Sequence, residues 1–316
     1  MQLKVHIDRK KNLQSILLKV NNDKNICLID IMKLNKRLKH FINSSTLNRQ
    51  LILTLDKKYR FQNEFIGDDV TKKTNGEFIK KVKKTFLRSH QLIVYITENQ
   101  KFSTDSYTRY EKLIKKMIKE SPADFICIGE RAEKFCQEHG YNVLKSFTND
   151  KNDHSIAPKL AKMVKIMYQE FNYEKVNFVL NSNKNFNNYF TILPIKHFDV
   201  DKLLSKDEKS ILDNEDYDRF LNYKIYPGID TYINSQINIY IVNTIQSLLI
   251  ESSFYEAKTR LVNYNQTTKN LDDLLLKLNK KIIKIKRENE IEEIVLLTKS
   301  ADNFSLDSPL KGKANG

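Results

Sequence analysis

Between Ile229 and Phe304 the chain contains neither proline nor glycine. Proline breaks a helix interior and glycine weakens it. Their absence over so long a span predicts one continuous helix, about 105 Å long at ~1.5 Å per residue. Its apolar residues recur at spacings of three and four: Leu271, Leu275, Leu278, Ile282 and Ile285. That is the narrow seam of a coiled coil rather than the broad stripe of a globular helix. Past Ile285 the next steps fall on Asn289 and Glu292, and the pattern resumes in another phase at Ile291, Ile294 and Leu297. A slip of register is therefore expected near Arg287. A helix of this length cannot bury a seam alone and needs a partner of similar length.

The first forty residues supply one. Leu13, Leu17, Val20, Lys24, Cys27, Ile31, Leu34, Leu38 and Phe41 step by four and three without a break. One member, Lys24, is charged, and Asn21-Asn22-Asp23 beside it forms a weak turn signal. Two seams at the two ends of a chain, with an unlike middle, predict an antiparallel pair of long helices carrying a domain at one end. The alternative is two unrelated helices, each on its own local core.

That middle changes period. Leu92-Ile93-Val94-Tyr95-Ile96 is a short, β-branched apolar run, as a buried strand requires. An amphipathic helix follows over 103–119 and stops at Ser121-Pro122. Asp124 to Ile128 reads as the next strand and ends at Gly129. Glu130 to Glu138 reads as a helix closed by Gly140, Ala157 to Phe171 as a longer helix, and Val176 to Leu180 as a third strand. Strands alternating with helices over short connections predict a parallel α/β sheet of Rossmann-like type. No G-x-G-x-x-G and no G-x-x-x-x-G-K-[ST] accompanies it, so a phosphate-cradling loop is not expected.

The remaining segments read as connectors. Leu51 to Leu55 extends the first helix or forms a short strand. Glu77 to Arg88 reads as a basic helix with Lys80, Lys81, Lys83 and Lys84, more a solvated face than a phosphate contact. Asp207, Glu208, Asp213, Glu215 and Asp216 mark an acidic connector without the His, Ser or apolar pocket that acid–base work needs. The expected division is a shaft helix over 1–46, a basic connector over 47–90, the α/β domain over 91–200, an acidic connector over 201–228, a second shaft helix over 229–304 and a tail over 305–316.

Charge then limits the partners. The net charge of +15 and a pI near 9.4 favour an acidic partner surface. Six histidines and three cysteines are scattered without metal-ligand spacing, so Cys27, Cys127 and Cys136 are expected as small buried hydrophobes in a reducing compartment. The N-terminus lacks the apolar core of a signal peptide. The most apolar stretch, Ile237 to Ile250, is interrupted by Asn238, Asn243, Thr244 and Gln246, short of the ~18 residues a membrane span requires. No catalytic constellation and no cofactor are expected. A basic coiled coil that binds nucleic acid, or a structural adaptor, stays open as the alternative; the first would interleave aromatics with lysines on one platform.

Several motifs occur in a fixed order along the chain. Lys11-Asn12-Leu13-Gln14-Ser15-Ile16 opens the first helix. Leu92 to Thr97, Phe125-Ile126-Cys127-Ile128-Gly129 and Val176-Asn177-Phe178-Val179-Leu180-Asn181 form the strands, followed by Leu193-Pro194-Ile195. Tyr226-Pro227 precedes the last helix. Within that helix come Glu251-Ser252, Glu256, Arg260, Thr268 and Asn270, then Glu290-Ile291-Glu292-Glu293-Ile294-Val295. This series resembles the gamma subunit of rotary ATP synthases, whose last helix carries E-S-x-x-x-E-x-x-x-R-x(7)-T. The family's glycine-rich segment after the first strand has no counterpart here, since residues 98–102 hold no glycine.

The resemblance implies a central-stalk rotor of an ATP synthase-like ATPase, without catalytic sites of its own. It would turn inside an alternating hexamer of alpha-like and beta-like nucleotide-binding subunits. An epsilon-like subunit, a membrane ring or a gliding or surface machine would sit at its base. The complex would be cytoplasmic, at the inner face of the membrane, and no nucleic acid is expected as partner. Lys277, Lys280, Lys281, Lys284 and Lys286 would meet acidic levers of the hexamer, and Ile291, Ile294, Val295 and Leu297 would turn in an apolar collar at the tip.

Overall fold

The computed structural model describes residues 2–61, 63–67, 90–98, 106–149, 155–171, 173–182, 189–198 and 224–306. The basic helix expected over 77–88, the acidic connector's carboxylates and the tail beyond 306 lie outside the described residues. In chain order the elements are α1 (Gln2–Tyr59), β1 (Gln91–Ile96), α2 (Tyr107–Glu120), β2 (Ala123–Ile128), α3 (Glu130–Glu138), β3 (Val143–Phe147), α4 (Ile156–Glu170), β4 (Lys175–Val179), β5 (Phe190–Leu193), a 3-10 turn (Ile195–His197) and α5 (Ile229–Leu306). The chain divides into two compact units, one of residues 1–27 with 261–316 and one of residues 28–260.

The first unit is a two-helix coiled coil. The start of α1 leaves it at Cys27 and the last part of α5 enters it at Leu261, so the two helices run antiparallel. The weak turn signal at Asn21-Asn22-Asp23 does not interrupt α1. Seam burial outweighs the local preference of these residues for turns.

The second unit is a three-layer α/β domain. Its sheet has the order β3-β2-β1-β4-β5. β1 pairs in parallel with β2 and β4, β2 in parallel with β3, and β5 joins β4 antiparallel. Alternation splits the strand residues between two cores. Ile93, Tyr95, Phe125 and Cys127 face α2 and α3. Leu92, Val94, Ile96, Ile126, Ile128, Val176 and Phe178 face α4 and the portions of α1 and α5 in this unit. β1, the central strand, is buried at every position, as a parallel strand covered on both faces must be.

Three features depart from the sequence reading. α1 does not end near residue 46; it continues through residues assigned above to the connector and stops at Tyr59. Ile52 and Leu55 are buried in the core facing α4, so the apolar run Leu51 to Leu55 is helical for reasons of packing rather than period. Two strands had no signal. β3 is an edge strand with only half-buried residues and Lys145 exposed, and β5 has only four residues.

The end of α1 is tied to the turn after β5. Arg49 donates from Nε to the Ile195 carbonyl at 3.1 Å and from Nη2 to that of Lys196 at 3.3 Å. Lys196 reaches Asp56 at 3.1 Å. The amides of Ile195 and Lys196 donate to the carbonyls of Phe65 and Ile66. Within the same unit α1 meets α5 through a buried hydroxyl pair, Ser45 and Thr244, 2.6 Å apart. Gly129, at the end of β2, has φ +94°, and a Cβ there would stand 2.3 Å from the Thr97 carbonyl oxygen. Only glycine permits this approach of β2 to β1.

Candidate functional site

The helix pair of the first unit presents the residues singled out for partner binding. Its inner side is built by the seam. On α1, Leu13, Leu17, Val20 and Lys24 are half-buried and Cys27 is buried; on α5, Leu271, Leu278 and Ile282 are buried and Leu275 half-buried. Each buried Leu or Ile stabilises such a pair by about 1.5–3 kcal/mol. The seam positions that follow on α1 belong to the second unit. There Ile31 and Leu34 are half-buried against the core that also contains Ile250 and Phe254 of α5.

Ile285 is the last half-buried residue of α5 among the described side chains; residues 286–299 are all exposed. The second phase expected at Ile291, Ile294 and Leu297 is therefore not a seam within this chain. These residues are 60%, 60% and 65% exposed, with Val295 at 44% and Leu296 at 69%. The α5 periodicity breaks at Asn289 and Glu292, where every residue of the helix from 286 to 299 is exposed.

The flank of α5 carries the lysines. Lys277, Lys280, Lys281, Lys284 and Lys286 are all exposed. Lys284 pairs with Glu288 one turn on at 3.6 Å, both largely in water, a contact of small energetic weight. The arrangement is thus a cationic flank leading to an apolar end. Charge and hydrocarbon are both exposed along it. Among the described residues no group of three or more His, Cys, Asp or Glu could hold a metal ion, and no helix is long and apolar enough to cross a membrane. The three cysteines are buried and none forms a disulfide among the described residues.

One set of polar residues had no signal in period or composition. Glu98, Asn181, Ser182, Glu251 and Ser252 are buried at the carboxyl ends of β1 and β4, where α5 crosses them. Glu251 and Ser252 stood out in the sequence only as part of a motif. The contact that explains them joins residues separated by 69 positions.

No model of a known protein family matches the chain. The chain is 44% identical over 305 residues to the Ureaplasma parvum protein UU050, which is uncharacterised, covering 96% of each. It is 22% identical over 271 residues to the ATP synthase gamma chain of Halothermothrix orenii, covering 85% of this chain and 90% of that one. A chain of the Euglena gracilis mitochondrial ATP synthase, in its OSCP/F1/c-ring assembly, superposes with a TM-score of 0.47 at 13% identity, over 100% of this chain and 99% of that one. Being 44% identical to UU050 over nearly its whole length, the chain belongs to the family of UU050, and its sequence is similar to that of ATP synthase gamma chains.

Proposed function

We propose that the chain is the central stalk of an ATP synthase-like ATPase, turning inside a hexamer of alpha-like and beta-like subunits that hold the nucleotide sites. The observation that carries this reading is the end of α5. Five large apolar side chains between Ile291 and Leu297 face water on a helix whose seam has already ended. An isolated protein gains nothing from this exposure, whereas an end that turns in an apolar collar requires it. The lysine flank suits acidic levers of the same hexamer, and the continuous helices supply the stiffness that pushing on catalytic subunits needs. The similarity to gamma chains supports the same reading.

In this role the chain has no catalytic residue. It couples ATP hydrolysis or synthesis on its partners to whatever is attached at the α/β domain: an epsilon-like subunit, a membrane ring, or a gliding or surface machine. The complex would then lie at the inner face of the membrane.

Purification of the native complex at moderate salt tests the proposal. Two related nucleotide-binding subunits should co-purify. Salt-sensitive retention on DNA without such subunits would instead favour a nucleic-acid-binding coiled coil. In the assembled complex, Ile294→Asp should lower rotation relative to ATP turnover while the α/β domain stays folded. Unchanged torque per ATP would rule out the collar.

A further inference from the structure

In an open α/β sheet, ligands sit outside the carboxyl ends of the strands, where successive connections run to opposite sides. The order β3-β2-β1-β4-β5 places that switch between β1 and β4. In this chain one turn of α5 occupies it. Ser253 Oγ donates to Glu98 Oε1 at 3.0 Å, just past the end of β1. Ser182 Oγ, just past the end of β4, donates to Glu251 Oε1 at 2.7 Å. A carboxyl group of the sheet thus receives a hydroxyl of the helix, and a carboxyl group of the helix receives a hydroxyl of the sheet.

The surrounding bonds hold this pair in place. The Glu98 amide donates to the Tyr107 hydroxyl at 2.7 Å, and Asn181 Nδ2 donates to Ser106 Oγ at 3.1 Å. Both acceptors lie at the start of α2. Glu98, Ser182 and Glu251 are all buried.

Apolar packing alone would not need these groups. α5 already buries Tyr240, Ile241, Ile245, Leu248, Ile250 and Phe254 in the core facing α4. Such contacts are non-directional and resist separation more than sliding or rolling. Hydrogen bonds weaken steeply when distance or angle changes. Burying two carboxyl groups is costly unless their bonds are satisfied, and the return is one fixed register of helix against sheet.

We propose that the reciprocal pair Ser253–Glu98 and Ser182–Glu251 is the joint through which load on α5 passes into the sheet, with these four as positioning residues. The proposal rests on the stalk reading. The joint holds α5 at two points, because its two bonds come from two different strand ends.

The test uses the full chain carrying Ser182→Ala with Ser253→Ala, and Ser253→Thr as the variant that keeps the hydroxyl. In the free protein, amide exchange at 248–256 should rise about tenfold in the double variant while β2 is unchanged. In the assembled complex, a bead held through Lys134→Cys on α3 should report a stall torque at least about twofold lower, with ATP turnover retained. Ser253→Thr should stay near wild type in both assays. Should the double variant not fold, Ser253→Ala alone is read in the same way. Exchange and torque equal to wild type would overturn the joint. A wild-type assembly that never rotates would overturn the stalk reading instead, and the exchange result would still decide whether the pair fixes the register of α5.

Discussion

The Tyr173 hydroxyl donates to Asp124 Oδ2 at 2.5 Å, and this one carboxylate gathers the starts of four strands. Asn142, just before β3, donates to Oδ1 at 2.8 Å, and His90, just before β1, lies 3.8 Å from Oδ2. Asp124→Ala should lower the unfolding free energy of the α/β domain by about 2–3 kcal/mol, because several donors lose one acceptor. Asp124→Asn, which keeps an acceptor, should lose less. Urea unfolding followed by tyrosine fluorescence checks both, and a midpoint within error of wild type for Asp124→Ala would refute the role.

The same domain should be sensitive to alkali. Burial first, then neighbouring acidic groups, holds the phenols of Tyr95, Tyr107, Tyr168 and Tyr173 above the ordinary tyrosine range, and burial does the same for Tyr240. In the unfolded chain each loses its proton near pH ~10. The stabilisation is therefore complete below that pH and falls as pH rises toward the folded-state values, by about 1.4 kcal/mol per pH unit for each such tyrosine. Urea midpoints measured between pH ~8 and ~11.5 should stay level and then drop. Tyr173→Phe should make the drop shallower by about one proton.

Lys24 is half-buried on the seam between Val20 and Cys27. A charged seam residue selects register at a cost in stability. Lys24→Leu should stabilise the helix pair by about 1 kcal/mol, slowing amide exchange over 13–27. Faster exchange would mean that the ammonium group contributes to pairing.

Cys127 and Cys136 lie with their sulfurs 3.5 Å apart and fully buried. The bond to Cys127, and then burial, push the Cys136 thiol far above its ordinary value. Thiols without thiolate character are inert. Iodoacetamide at pH ~8 should leave both unmodified in the native protein and label both in denaturant, as read by intact mass. Native labelling at the rate of free cysteine would contradict the packing of β2 on α3.

Periodicity carried most of this architecture. The steps from Leu13 to Cys27 and from Leu271 to Ile282 mark the less exposed side of each helix, since a long two-helix contact repeats one geometry many times. The runs at 92–96 and 124–128 showed as strands because both their faces are covered. β3 was hidden by its place at the edge, where half-burial allows a mixed sequence such as Val143-Leu144-Lys145. The extension of α1 showed in the sequence only as one of two alternatives for Leu51 to Leu55, because Ile52 and Leu55 pack on the sheet core and so lose the seam spacing. The bonds of Glu98 and Glu251 are non-local, and no window along the chain contains both partners. The lysines at 277–286 and the apolar residues at 291–297 could be named from the letters alone, and the structure adds that they are exposed.

The bare hydrocarbon between Ile291 and Leu297 also sets the conditions under which the free chain can be kept. Each copy presents five bulky exposed apolar groups on a single helix. At rising concentration such ends tend to adhere to one another. Solubility of the chain by itself should therefore be limited by this helix end, and in the proposed stalk role supplying the hexamer subunits during synthesis should relieve it.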